Sequence, residues 1–428
     1  MTTQKPGGGD AHGRHAVLTQ LSLGGSIVAI LALGLLIIFS PHHLVYDEAG
    51  QLLNVDELYR VGWIAMLRSP SITSEAGPLY TAIHAGCAGL TKLAAPAVRF
   101  PNFVLLVGSI LALAATARSL RLANPALVAC SILAVPFLWA SAGMALTELP
   151  ALFCFTGSVL ACVLLEGEIR GTRWAKRMGL ALAGGVLLGL ACLGRQTYLV
   201  ALVPLVVFCR RDPASWLGPA IVAFAAIAVS GWLFVIWGGL LPPHLASLLS
   251  QPQGFHGVLS FGYLALVTLI VTPRWMLRSD GSARSWNRAS YAIALVSIVV
   301  AGLFLAVEVA PARTLAERTM PPSMFVWYPR LIGPLIVGLA GLWLMRFGRE
   351  MWLVRQEPAW LYIHLALFLL ALTPIAITHQ FSSRYVVTDL GLLVLILWKQ
   401  CPPISWSHVG RFGLGAALGS MILLSYYQ

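Results

Sequence analysis

Charge is what this 428-residue sequence has least of. Asp, Glu, Lys and Arg together make up 10% of it, where soluble domains average roughly 25%. Hydrophobic residues make up 58%, mean hydropathy is +0.81, and no polar stretch is long enough to close a core of its own. A soluble domain is thereby excluded. Cysteine is sparse too, at seven residues, most of them inside apolar runs and none in a CxxC spacing. That excludes a disulfide framework and a cysteine metal centre. Acid is rarer than base, 16 residues against 28, for a net charge of +12. Such a surplus can serve nucleic acid, but here the basic residues fall in short loops between apolar runs. They mark topology and form no groove for a phosphate backbone, so no nucleic-acid partner is expected.

What is present is a succession of apolar runs of 16 to 22 residues. This predicts an all-α, polytopic membrane protein of about thirteen transmembrane helices. The predicted spans are about 21–40, 101–117, 126–141, 149–165, 178–193, 197–209 and 216–238, then 258–272, 289–308, 331–345, 359–377, 385–398 and 412–427. Residues 1–20 are polar and Gly-rich, and are expected to be a disordered cytoplasmic tail. The run after them lacks a small-x-small cleavage site and reads as a retained span. We divide the remainder at residue 210. Residues 21–210 form a module that includes a first outer loop, 41–100, and 211–428 form a C-terminal transmembrane module.

With the N-terminus in the cytoplasm, 19 of the 28 basic residues fall in inside loops, as the positive-inside rule asks. Residues 78–94, PLYTAIHAGCAGLTKLA, are about as long as a short span but contain His84 and Lys92. Counting them as a span would put the RGTRWAKR cluster outside. We read them as an amphipathic helix lying on the outer surface. Compact loops and the lack of a retention signal favour a prokaryotic plasma membrane, with the site on its extracytoplasmic face.

The outer loop concentrates acid. Five of the sixteen acidic residues, Asp47, Glu48, Asp56, Glu57 and Glu75, lie within 41–80. Asp47 and Glu48 follow the first span closely. Glu148 sits in an almost uncharged turn, WASAGMALTELPALF. An acid placed deep in the bilayer costs roughly 2.5–3.5 kcal/mol, and such residues usually face a cavity. Glu148 also suits a helix start, with Thr147 as cap and Pro150 in the first turn. On the same predicted face Arg195 and Gln196 stand alone between two apolar spans. Arg384 and Tyr385 begin another span, just after His379, and Arg330 begins a third. A lone Arg at a span end can simply snorkel. Several on one face, beside acids, suggest an anionic ligand, because guanidinium donors suit phosphate.

This set suits removal of a sugar from a lipid phosphate. A carboxylate takes the proton of the attacking hydroxyl, and arginines stabilise the departing phosphate. Asp47 is the candidate base, with Glu48 and Glu148 as companion catalytic acids. Arg195, Gln196, Arg384 and Arg330 are the candidate phosphate-binding residues. Glu75, Tyr80, Tyr385 and His379 are the candidate acceptor- or sugar-binding residues. No cofactor is required when arginine carries the phosphate charge, although neighbouring carboxylates could hold Mg²⁺ or Mn²⁺. The alternative is a transporter or flippase, for which internal repeats and broken helices are expected; no internal repeat is found. A lipid-linked glycan polymerase or ligase would normally carry a larger late outer loop than 239–257 or 309–330.

Three short stretches then resemble a known family. VYDE (Val45 to Glu48) is followed, 25 positions from Asp47, by SITSEAGPLY from Ser71 to Tyr80, and later by GRQTYL from Gly194 to Leu199. R-x-P-N, Arg99 to Asn102, opens the second span. The order resembles the GT-C superfamily of polyprenyl-phosphate-sugar-dependent glycosyltransferases. Within it, it is most similar to the α-1,2-glucosyltransferases that add the terminal glucose to lipid-linked oligosaccharide. The likeness covers about residues 1–210. It departs where PPG is replaced by EAGP, where Tyr198 stands in place of Asn, and where Glu148 replaces the usual Asp. The resemblance implies a GT-C-like fold and a polyprenyl-phosphate hexose donor, with a glycan, lipid or protein acceptor. It implies inversion by single displacement, with Asp47 as base and Glu48 beside it. It also implies Glu148 near the donor, Arg195 on the lipid phosphate with Gln196 beside it, and Arg384 as a second phosphate contact.

Overall fold

The computed structural model describes residues 8–72, 74–168, 174–209, 215–249, 251–277, 291–300, 320–378, 381–399 and 404–428. All regular structure among them is helical, and nine helices are long and apolar enough to cross a membrane. The chain is an integral, multi-pass membrane protein. In the first half the long helices are α1 (Gly8–Ile38), α5 (Phe100–Ser119), α8 (Glu148–Glu168) and α9 (Trp174–Gly194). The helix Leu217–Trp237 packs on α9, and Gly254–Val271 packs on Tyr328–Leu353. The C-terminal helix Trp406–Tyr427 packs along α1 and the short helix Pro136–Gly143. α1 begins at Gly8, inside the stretch expected to be a tail, and its apolar part starts at Ala16.

Each of the thirteen predicted spans falls on helix among the described residues. Four of them are not among the nine long helices. Segment 126–141 is a pair, α6 (Pro125–Ala134) and α7 (Pro136–Gly143), bent by 86°. The bend sits at Val135, whose extended backbone (φ −90°, ψ 112°) is what a residue before proline prefers. Segment 197–209 is a 3₁₀ helix, Gln196–Phe208. Segment 385–398 starts as a 3₁₀ helix, Ser383–Asp389, and continues as the α-helix Leu390–Lys399. Segment 289–308 is helical over Tyr291–Val300, where the described residues stop.

Alternation of the spans gathers one set of connections at one end of the bundle. The largest is the loop between α1 and α5, which carries α2 (Glu48–Val61), α3 (Trp63–Arg68) and α4 (Leu79–Thr91). α4 covers the stretch read as a surface helix, and it packs on α2. Arg118, Lys176, Arg349 and Lys399 lie at the far ends of their helices, opposite this loop.

One buried ion pair ties the loop to its own start. Arg99 and Glu48 are both fully buried, and the Arg99 Nε and Nη2 donate to the two Glu48 oxygens at 2.8 and 2.7 Å. Arg99 also donates to the Ser40 hydroxyl and to the carbonyls of Pro41 and His43. Three residues on, the Asn102 amide donates to the carbonyls of Ser141, Met144 and Leu146. The R-x-P-N stretch therefore locks the α1–α2 connection on one side and the turn before α8 on the other. The C-terminal helix braces both, since the Tyr427 hydroxyl donates to the Gly143 carbonyl and its ring lies 4.8 Å under the Arg99 guanidinium.

Candidate active site

Asp47 stands at the N-cap of α2, the position where an Asp side chain ordinarily accepts from the helix's first free N–H groups. Here it makes no capping bond. Its carboxylate turns away and meets Arg384, with Oδ2 2.9 Å from Nη2. The preceding Tyr46 is held in the left-handed region (φ 52°), which a non-glycine residue enters only when its surroundings require it. Its ring packs edge-on against Tyr426 at 5.2 Å and lies 4.9 Å beneath the Arg384 guanidinium.

Glu148 opens α8 and is completely buried. A carboxylate there gains from the helix dipole, but burial demands cations. Two are present. Arg195 Nη2 donates to Glu148 Oε1, and Arg384 Nη1 lies 3.9 Å from the same oxygen. Arg195 itself occupies the extended residue (φ −146°) between α9 and the 3₁₀ helix that follows. Its Nη1 is 3.7 Å from Glu75 Oε1, and the Gln196 amide donates to the Glu75 carbonyl at 2.8 Å. Burial works against both arginine charges, yet the neighbouring carboxylates outweigh it and hold both pKa values above the usual range.

Glycine makes this junction close enough. A Cβ on Gly77 would sit 2.2 Å from the Leu193 carbonyl oxygen, and one on Gly194 would sit 2.7 Å from the Ala151 Cβ. Gly77 is therefore packed against the main chain of Leu193 at the end of α9, and Gly194 against Ala151 of α8.

Two cavities meet at the arginine pair. One, of about 540 Å³, is polar and is lined by Asp47, Gln51, Ser74, Thr147 and Tyr46 among others. The second, of about 470 Å³, is an apolar slot with walls that include Leu199, Val200, Leu240, Leu248 and Ile375. Glu75, Arg195, Arg384 and Tyr385 line both.

The structure thus brings together Asp47, Glu75, Glu148, Arg195, Gln196, Arg384 and Tyr385. It places Glu48 elsewhere, in the buried pair with Arg99, where it also accepts from the backbone N–H of Val45 and Ala145. Tyr80 is buried against His84, with ring centroids 4.0 Å apart, and lines neither cavity. Arg330 stacks on Trp327 at 5.4 Å and lines neither. His379 lies outside the described residues. Among the described residues no three His, Cys, Asp or Glu cluster closely enough to hold a metal, and the site's three carboxylates each face a guanidinium. Sequence reasoning missed Tyr46 and Gln51 as lining residues. Both are one helical step or less from Asp47, which was the available signal.

No family model matches the sequence, and no curated protein matches it. Among solved structures, ArnT from Cupriavidus metallidurans in the apo state is 16% identical with a TM-score of 0.41, over 91% of this chain and 78% of that one. The same protein bound to undecaprenyl phosphate is 14% identical with a TM-score of 0.38, over 97% and 89%. The archaeal oligosaccharyltransferase AglB from Archaeoglobus fulgidus, in complex with an inhibitory peptide and a dolichol-phosphate, is 13% identical with a TM-score of 0.47. It is matched over 94% of this chain and 55% of its own.

Proposed function

We propose that this chain is a GT-C-type glycosyltransferase that moves a hexose from a polyprenyl-phosphate donor to an acceptor hydroxyl at the extracytoplasmic membrane face. One observation carries the reading. Two arginines share a single buried carboxylate, Glu148, at the seam between an apolar slot and a polar cavity containing Asp47. A polyprenyl phosphate has the same division. Its tail suits the slot, its phosphate suits the arginine pair, and its sugar would then lie in the polar cavity toward Asp47. The basic residues at the opposite end of the bundle support placing the site outside.

In this reading Asp47 takes the proton of the acceptor hydroxyl as its oxygen attacks the anomeric carbon. The bond from that carbon to the phosphate oxygen breaks with its electron pair, and Arg195 and Arg384 stabilise the charge that develops. One displacement inverts the anomeric centre. Glu148 touches neither substrate and fixes both guanidiniums from below.

The test is transfer of labelled sugar from a synthetic polyprenyl-phosphate hexose by the purified protein. Asp47→Asn should lower the rate by roughly 10²–10⁴-fold, the usual worth of a positioned base, with the melting temperature kept. Undiminished transfer in that variant sinks the assignment of the base. Uptake into proteoliposomes with no transfer sinks the enzyme reading in favour of a transporter.

A further inference from the structure

Among the described residues, the ion pairs at the seam do not balance. Three carboxylates, Asp47, Glu75 and Glu148, face two guanidiniums, Arg195 and Arg384. A phosphate entering this arrangement meets a formal surplus of negative charge, so it can bind well only by displacing a carboxylate. Glu148 cannot leave, because its side chain is 1% exposed beneath both arginines. Glu75 and Asp47 are the displaceable acids, with side chains 37% and 45% exposed. Of these two, Asp47 holds the tighter contact, 2.9 Å to Arg384 Nη2.

We infer that Asp47 is the resident counter-anion of Arg384, so that the donor phosphate frees the base by taking its place. This rests on the phosphate reading given above. A forked phosphate draws on the same Nη2 group that Asp47 contacts, and the two anions compete for it. While Asp47 Oδ2 is held by Arg384, the guanidinium competes for the electron pair that would take the acceptor's proton. Once the phosphate takes the guanidinium, the Asp47 carboxylate is released into the polar cavity that it lines. The Tyr46 ring beneath Arg384 keeps the guanidinium in place through the exchange.

The cycle closes consistently. The acceptor proton moves to Asp47, the new glycosidic bond forms, and the phosphate leaves with the electron pair of the broken bond. Asp47 then loses its proton to water, and as an anion again it competes for Arg384 and drives out the lipid phosphate. The same carboxylate is thus base in one half of the cycle and ejector in the other.

The contact predicts an effect opposite to the usual one for a base. Full-length protein in nanodiscs is titrated with undecaprenyl phosphate, with undecaprenol as the phosphate-free control. Asp47→Asn should bind the phosphate about tenfold tighter than wild type, because one competing charge a few ångströms from it is gone. Asp47→Ser, a second way of removing that charge, should behave likewise. Asp56→Asn, an exposed acid on α2, should leave affinity unchanged. With Arg384→Gln in the background, Asp47→Asn should no longer tighten binding. If wild type prefers the phosphate over undecaprenol but both Asp47 variants bind it equally or less well, the counter-anion role falls and the function stands. If wild type shows no preference for the phosphate, the function falls and the counter-anion role falls with it.

Discussion

The carboxylate of Glu48 accepts four hydrogen bonds, two from Arg99 and one each from the backbone of Val45 and Ala145. Its neighbour Asp47 meets one guanidinium at the edge of a cavity. In the sequence the two acids are a single pair with a single candidate role. The residue that separates them, Arg99, lies 51 positions from Glu48, beyond the reach of any local pattern. Replacing Glu48 with Gln leaves a buried guanidinium without its anion, which typically costs about 3–5 kcal/mol. Glu48→Gln should therefore melt far below wild type in detergent, while Asp47→Asn, next to it, should melt close to wild type. His84 gives a pH test. Burial in α4 pushes its pKa down to about 4, and neither ring nitrogen has a partner among the described residues. An imidazole kept neutral in the fold contributes its full stability above its unfolded value of about 6.5, and loses it as pH falls from there through about 4. The span is worth on the order of 3 kcal/mol. The melting temperature of wild type should fall more between pH 7 and pH 5 than that of His84→Phe; parallel curves would remove His84 as the cause.

At the scale of elements, one of the stretches that resembled family motifs lies main chain against main chain on the end of α9. Gly77 sits against the Leu193 carbonyl, and Gln196 reaches back to the Glu75 carbonyl. A methyl group on Gly77 has only main chain to push against, and forcing extra atoms into such a site typically costs about 1–3 kcal/mol. Gly77→Ala should lower both the melting temperature and sugar transfer, because the displaced segment carries Glu75. A Gly77→Ala protein with wild-type transfer would show that this junction does not set the site. The order of the short stretches was legible in the sequence, since each is contiguous. Their mutual contact was not, since it depends on how α9 ends. The regular α-helical spans were legible from apolar length. The corner at Pro136 and the 3₁₀ stretches were not, because hydropathy is blind to hydrogen-bond pattern.

Across the whole molecule, Asp47, Glu148, Arg195 and Arg384 come from four separate connections, and the alternation of spans brings all of them to one end. That much follows from counting spans, which is why the site was partly readable in advance. Its depth was not readable, since the burial of Glu148 depends on packing. The alternation also gives a test of sidedness. In a cysteine-free background, Asp56→Cys should react with a membrane-impermeant maleimide from outside intact cells. Lys176→Cys, at the other end of α9, should react only after permeabilisation. The reverse pattern would put the site on the cytoplasmic face.

The helix Gln196–Phe208 has 13 residues, too few for an ordinary crossing. A 3₁₀ coil, however, climbs about 2.0 Å per residue, so this one is about 26 Å tall. The 21-residue α9, at about 1.5 Å per residue, is about 31 Å tall. The short rod therefore nearly matches its neighbour. With three residues per turn its cross-section is triangular. One edge, Tyr198, Ala201 and Pro204, is buried, and another, Val203 and Val206, is bare. A slim three-sided post carries Arg195 at its tip, and Leu199 and Val200, just below the tip, form one wall of the slot. Thirteen residues thereby do the work of about seventeen, and the slot opens beside the arginine along this slim post.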